Sequence, residues 1–430
     1  MSILSSSAIS KVLKSNFFRS SLTFSIASFV VSVIGYIINL LIARTFSLAN
    51  YGEYMTSMSY VLFLSVPITT FGMIVTQRIG KEIVLKRKAL ASTIEKWLIV
   101  ELKTHSSLLT VLAVAFGILV YYKGNLEVSA ILFIITTLFL TLFQIFYVAS
   151  LQAFKNFFMA GLLLVIIFGG KLILSIGVIF ISPNIINIFI AFVVSLFVGL
   201  IIGRKMIRNN GNSTKPEQTY KFLNIFKYLK RKNLLITLIT TLGLVGLGNI
   251  DLILVKKFLP ADQAGLYSSI SLLGKIILYV ATPLSQVAFS YFTGSDSKHN
   301  SAKILFLLSV AYLFIGGAST LIYFFYPDLI ISIIFGSKFL VINSIIWLAA
   351  IFGTLYSLIT LYTHYYISKN SWWGALSFIA LIIQFILIFF NHSSLLNIMT
   401  INIYITFGLL IIFVGKIVFD NFKTMILYKI

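Results

Sequence analysis

The sequence predicts an all-α integral membrane protein of about twelve transmembrane helices, arranged as two parallel six-helix lobes around a central cavity. Three observations carry that reading. Mean hydropathy is +1.03, with 59% hydrophobic and 10% charged residues, where a soluble domain carries about 25% charge; the solvent for this fold is lipid. Apolar runs long enough to cross roughly 30 Å of hydrocarbon, about 20 residues of helix, recur about twelve times. The segment NLLIARTFSLANYGEY, 39–54, returns as DLILVKKFLPADQAGLY, 251–267, an offset of 212 in a chain of 430. An offset near half the length marks an internal duplication.

The first half supplies spans at 22–43, 54–76, 105–122, 128–150, 157–181 and 184–203. The second supplies 233–255, 265–290, 303–326, 343–367, 372–390 and 395–419. A helix satisfies its own backbone hydrogen bonds in lipid, whereas barrel strands of about ten alternating residues would not give such unbroken runs. The domains are thus an N-terminal lobe, 1–203, a cytoplasmic basic linker, 204–232, and a C-terminal lobe, 233–430. The linker's second part reads as an amphipathic segment on the membrane surface. Six spans per half is an even number, so the second copy re-enters the membrane in the orientation of the first. Parallel repeats are related by an axis along the membrane normal, and transporters built this way bind at the interface of the halves and rock them.

Of 33 lysines and arginines, a cytoplasmic N-terminus puts 25 on the inner side and 5 on the outer, with Lys171, Lys275 and Lys416 inside spans. That bias places both termini in the cytoplasm. The net charge of +22 is thereby an orientation signal, and nucleic acid is not an expected partner. No short apolar stretch with a cleavage site precedes the first span, so no removable signal peptide is expected.

Several chemistries are disfavoured. The chain has no cysteine, and its four histidines lack metal-ligand spacing, so neither a metal nor another cofactor is expected. No GxxxxGK[ST] segment cradles a phosphate. The eleven acidic residues form no acid and base pair, with Glu53, Glu127, Asp262 and Asp328 isolated near outer helix ends. The longest external loop, 327–342, is too short for the catalytic segment of a membrane polymerase or glycosyltransferase. The expectation is a protein that is not an enzyme and has no catalytic residues.

Within the duplication, Asn39, Arg44 and Phe46 match Asp251, Lys256 and Phe258, and Gly52-Glu53-Tyr54 matches Gly265-Leu266-Tyr267. Pro67 and Pro283 both fall in the second span of their halves, where each is a candidate hinge, either kinking its helix or simply tolerated there. Gly243, Gly246 and Gly248 strip side chains from the seventh span, to let it bend or to permit close helix packing.

The stretches LLIARTFSLANYGEYMTSMSYVLFLSVPITTFG, NIDLILVKKFLPADQAGLYSSISLLGKI and YPDLIISIIFGSKF together resemble the Wzx-type polysaccharide (O-antigen) flippases, in the superfamily that includes the MATE drug exporters. The resemblance covers nearly the whole chain. It implies transfer of an undecaprenyl-pyrophosphate-linked oligosaccharide from the inner to the outer leaflet of the bacterial inner membrane, through a cationic cavity. It further implies coupling to H+ or Na+, and as partners the lipid-linked glycan, membrane lipids and polysaccharide polymerase machinery. A MATE-like drug or metabolite exporter is the alternative, and a polymerase the weaker one.

A pyrophosphate crossing hydrocarbon needs buried positive charge. Lys171 sits about ten residues, or about 15 Å, from the outer end of its span, beyond the reach of a snorkelling lysine. Lys275 is similarly central. A charge at helix centre costs about 2.5–3.5 kcal/mol and normally faces a bundle interior or wet cavity. Both are candidates to line the cavity, against a structural lysine held by a carboxylate or carbonyls. Arg19 and Arg78 are candidates for an inward vestibule, against ordinary positive-inside charges. Asp251 lies well within an apolar run while its repeat partner Asn39 is neutral, which makes it the candidate for ion coupling, against a helix-end salt bridge with Lys256 or Lys257.

Overall fold

Apolar runs fold as helices because lipid offers the backbone no partner, and the described residues follow that rule. A computed structural model describes residues 16–104, 111, 114, 115, 117, 118, 124–210, 231–294 and 298–427, and no strand occurs among them. Nine described helices are long and apolar enough to cross a membrane, and two further helix pairs each form a bent span, giving up to eleven. The expected span at 105–122 falls mostly outside the described residues.

The two bent spans mark where the sequence interrupts its own helices. Leu48–Leu64 and Val66–Val84 meet at 42°. Pro67 is the second residue of the later helix, where its missing N–H would have no intrahelical acceptor in any case. Arg231–Leu247 and Ile250–Phe258 meet at 46°, with Gly248 and Asn249 between them. Pro283, by contrast, lies within Ala261–Gly294, which is helical without a break.

Two compact units result. The first contains the described residues of Met1–Ile38, Pro67–Ile118 and Ile135–Leu229. Its core gathers Val75, Ile79, Phe146, Leu163, Ile167 and Leu196, closed on one side by Ala91, Ile94 and Leu98 of the helix Lys88–Thr104. That helix is amphipathic and is not among the described helices long and apolar enough to cross a membrane. The second unit contains Asn39–Val66, Leu119–Ile134 and Lys230–Ile430. At its centre is the helix Ile346–Ser368, buried along most of its length and packed by Ala261–Gly294, Lys298–Phe325 and Leu395–Leu427. Segment 39–66, from the first half of the chain, thus packs with the second half.

Candidate functional site

The break at Gly248-Asn249 leaves helix carbonyls without their usual donors, and side chains supply them. Tyr356 Oη donates to Leu244 O at 2.9 Å, Gln384 Nε2 to Leu247 O at 3.2 Å, and Asn249 Nδ2 to Val245 O at 2.8 Å. Gly243 and Gly246 are the places where Ser377, Phe378 and Leu381 lie against this helix, and a Cβ at Gly248 would lie 2.6 Å from the Tyr356 ring. The three glycines therefore serve close packing, and the last also flanks the break.

Asp251 stands in the first turn after that break and is fully buried. Its Oδ2 accepts from Tyr267 Oη at 2.6 Å and from Asn402 Nδ2 at 2.8 Å, and its Oδ1 from the Leu252 amide at 2.9 Å. Gln384 Nε2 donates to Asn402 Oδ1 at 2.7 Å, which fixes the orientation of both amides. Lys275 donates to Asn249 Oδ1 at 3.1 Å and acts on the Asp251 charge only at longer range. Gln384 Oε1 remains a buried acceptor with no partner among the described residues. The repeat partner Asn39 is half-buried and belongs to an unbroken helix.

Lys256, which sequence reasoning left as a partner for Asp251, pairs instead with Glu53 at 2.5 Å, and both side chains are buried. Glu53 Oε1 also accepts from the Glu127 amide at 2.8 Å. Glu53 is thus not isolated; it joins one copy of the duplicated motif to the other. Beside it the motif glycines meet. A Cβ on Gly52 would lie 2.7 Å from the Gly265 amide, and one on Gly265 would strike the Leu48 carbonyl. The third resembling stretch joins the same structure. Arg44 donates to the carbonyls of Ser332, Ile333 and Ile334, Lys338 to those of Arg44 and Phe46, and Tyr51 packs edge-on to Phe339 with ring centroids 5.9 Å apart.

In the first unit, Lys171 lies on the buried stripe Leu163, Ile167, Lys171, Ser175 of the helix Phe157–Ile181 and is 8% exposed. Its ammonium sits 4.7 Å from the centre of the Phe168 ring and 5.2 Å from that of Phe192. Among the described residues no carboxylate lies within ion-pair distance of it. Arg78 is buried and pairs with Glu82 at 3.3 Å, while Arg87 approaches the same carboxylate at 3.9 Å. The side chain of Arg19 lies outside the described residues. Glu95, on the amphipathic helix Lys88–Thr104, is 6% exposed, and burial raises its carboxyl to about 7 against the opposing pull of Ser150 and Lys96.

These features define an all-helical, multi-pass membrane protein with the MATE-transporter fold. Among solved structures it is similar to a MATE in complex with MaL6, with a TM-score of 0.67 and 13% identity over 98% of this chain and 99% of that one. It is also similar to an inward-facing multidrug resistance MATE family transporter of the MOP superfamily, with a TM-score of 0.65 and 13% identity over 95% and 96% of the two chains. An outward-facing conformation of such a transporter gives 0.62 and 12% over 97% and 98%. At these identities the likeness is one of fold. No protein-family model and no curated protein matches the sequence.

Proposed function

We propose that the chain is a flippase that moves an undecaprenyl-pyrophosphate-linked oligosaccharide from the inner to the outer leaflet of the bacterial inner membrane by alternating access. The observation that carries this reading is Lys171, a lysine buried mid-helix against two aromatic rings with no carboxylate in ion-pair distance among the described residues. An uncompensated charge in a membrane helix is costly and is kept where something uses it. A pyrophosphate headgroup is a ligand that would. Lys275, which among the described residues donates to the neutral Asn249 amide and lies at longer range from Asp251, adds a second cation for the same anion. Similarity of fold to transporters seen facing both inward and outward supports alternating access. Asp251, with Gln384 and Tyr267, is the proposed site for a coupling proton or sodium ion. Arg78 contributes to an inward vestibule only after parting from Glu82.

Replacing Lys171 and Lys275 together by glutamine is expected to abolish surface glycan while the protein stays at its normal level; unchanged glycan at that level sinks the assignment. Deleting the protein should leave lipid-linked single repeat units on the inner leaflet, whereas accumulation on the outer leaflet would point to polymerisation. The alternative of a drug exporter is favoured by the buried acid at Asp251 and by the multidrug transporters that share the fold. Restored drug resistance in a pump-deficient strain, with glycan unaffected, would select it.

A further inference from the structure

The end of the first helix and the segment after Phe325 build a pocket that shares no lining residue with the Asp251 network. It has a volume of about 370 Å³ and is lined by Arg44, Ser332, Phe335, Gly336, Ser337 and Lys338. Two of the six are cations, two are hydroxyls and none is acidic. Arg44 and Lys338 are steered there by backbone carbonyls, which orient the charges without neutralising them. The nearby carboxylate of Asp328 is engaged by Asn343 Nδ2 at 3.0 Å. Gly336 has a φ of 94°, and no atom lies within 4 Å of the place a Cβ would occupy, so the turn leaves the pocket open.

The walls carry exposed apolar side chains beside the charged ones. Helix Pro327–Ile334 buries Ile331 but exposes Leu329 and Ile333, and Tyr326 and Val341 on either side are 61% and 77% exposed. A positively charged, donor-lined pocket bordered by exposed apolar side chains has the chemistry of a lipid phosphate site: donors for the oxyanion, apolar surface for the chain beside it. Two fixed positive charges recognise a phosphate in particular, because guanidinium and ammonium both bind its oxygens.

We propose that this pocket binds the phosphate of an anionic lipid headgroup in the leaflet at which the helix Asn16–Thr45 ends, the outer leaflet by the distribution of charge. The site holds resident lipid and is independent of the transported cargo. It gives the Arg44 and Lys338 staples a ligand that offsets their charge.

The experiment uses the full chain purified in detergent, delipidated and titrated with short-chain phosphatidylglycerol, with diacylglycerol and inorganic phosphate as separate probes, read by native mass spectrometry and thermal shift. One phosphatidylglycerol per chain and a raised melting temperature are expected, with neither effect from diacylglycerol. Ser337→Asp places a carboxylate in the pocket while leaving every carbonyl contact of Arg44 and Lys338 in place. It should weaken phosphatidylglycerol binding about tenfold or more, with the lipid-free melting temperature unchanged. Equal binding by Ser337→Asp, or equal binding of diacylglycerol, overturns the site. Inorganic phosphate matching phosphatidylglycerol at the same concentration overturns the lipid assignment.

Discussion

The two units differ in how they hold some of their buried charge, although the first also contains the buried Arg78–Glu82 pair. In the second, Asp251 is held by three hydrogen bonds, Lys275 by Asn249, and Glu53 and Lys256 by each other. In the first, Lys171 has aromatic rings for neighbours, and Glu95 is buried where Ser150 and Lys96 do not offset the cost of burial. A satisfied buried network rigidifies its surroundings, whereas an unsatisfied one costs stability and persists where another requirement keeps it. On the proposed function, the difference separates charges that hold the fold from charges that await a ligand or a proton.

The sharpest way to break this contrast is to unpair the second unit. Glu53→Gln leaves Lys256 buried without its counter-charge and is expected to destabilise by about 3–5 kcal/mol. Glu53→Leu with Lys256→Met should recover most of that loss, because neither charge is then stranded. Thermal unfolding in detergent measures both; a small effect of the single change would mean that the pair is not what joins the two motif copies. In the first unit the same logic reverses sign. Lys171→Met removes an unpaired charge and is expected to stabilise by up to about 2.5–3.5 kcal/mol, the insertion cost of a central lysine. On the proposed function it should also abolish glycan export. A destabilised Lys171→Met protein would mean that the ammonium contributes to the fold.

How much of this was legible beforehand differs by kind of feature. Helical class follows from runs of about 20 apolar residues, which lipid permits in few other forms. The break before Pro67 was readable because proline cannot donate a hydrogen bond, and the break at Gly248-Asn249 is hinted at by the glycines that precede it. The Glu53–Lys256 pair was not readable. Its members are far apart in sequence, and charge patterning only shows neighbours along the chain. Yet the duplication held a clue: both residues lie in repeated copies, and the copies pack on one another. Gln384 and Asn402 were passed over altogether, although lone carboxamides in strongly apolar helices must find partners. Asp251 and Tyr267, the first and last residues of the second motif copy, turn out to be bonded to each other.

The third test addresses how closely the copies meet. Gly265→Ala puts a methyl group against the Leu48 carbonyl, and Gly52→Ala puts one against Gly265. Each should destabilise by about 1–3 kcal/mol through overpacking. Gly317→Ala and Gly408→Ala, where nothing lies within 4 Å, serve as controls and should gain slightly from their higher helix propensity. Equal melting temperatures for all four variants would remove the glycine contact as the reason the motif repeats.

The smallest effect belongs to Glu95, and its sign follows from burial. Its carboxyl titrates near 7 in the folded protein, against about 4.5 when unburied. Below about pH 4.5 the group is protonated whether the chain is folded or not, so its contribution to stability is fully present. Between about 4.5 and 7 the unfolded chain releases the proton while the folded one keeps it, and stability falls as pH rises. Above 7 both forms are ionised and the slope ends. Helix Lys88–Thr104 is not among the described helices long and apolar enough to cross a membrane. Glu95→Gln keeps the shape but cannot titrate, so its melting temperature should lack this segment of the pH profile. If wild type and Glu95→Gln show the same pH dependence from 4.5 to 7, Glu95 is ionised in the folded protein, and the contrast between the units rests on Lys171 alone.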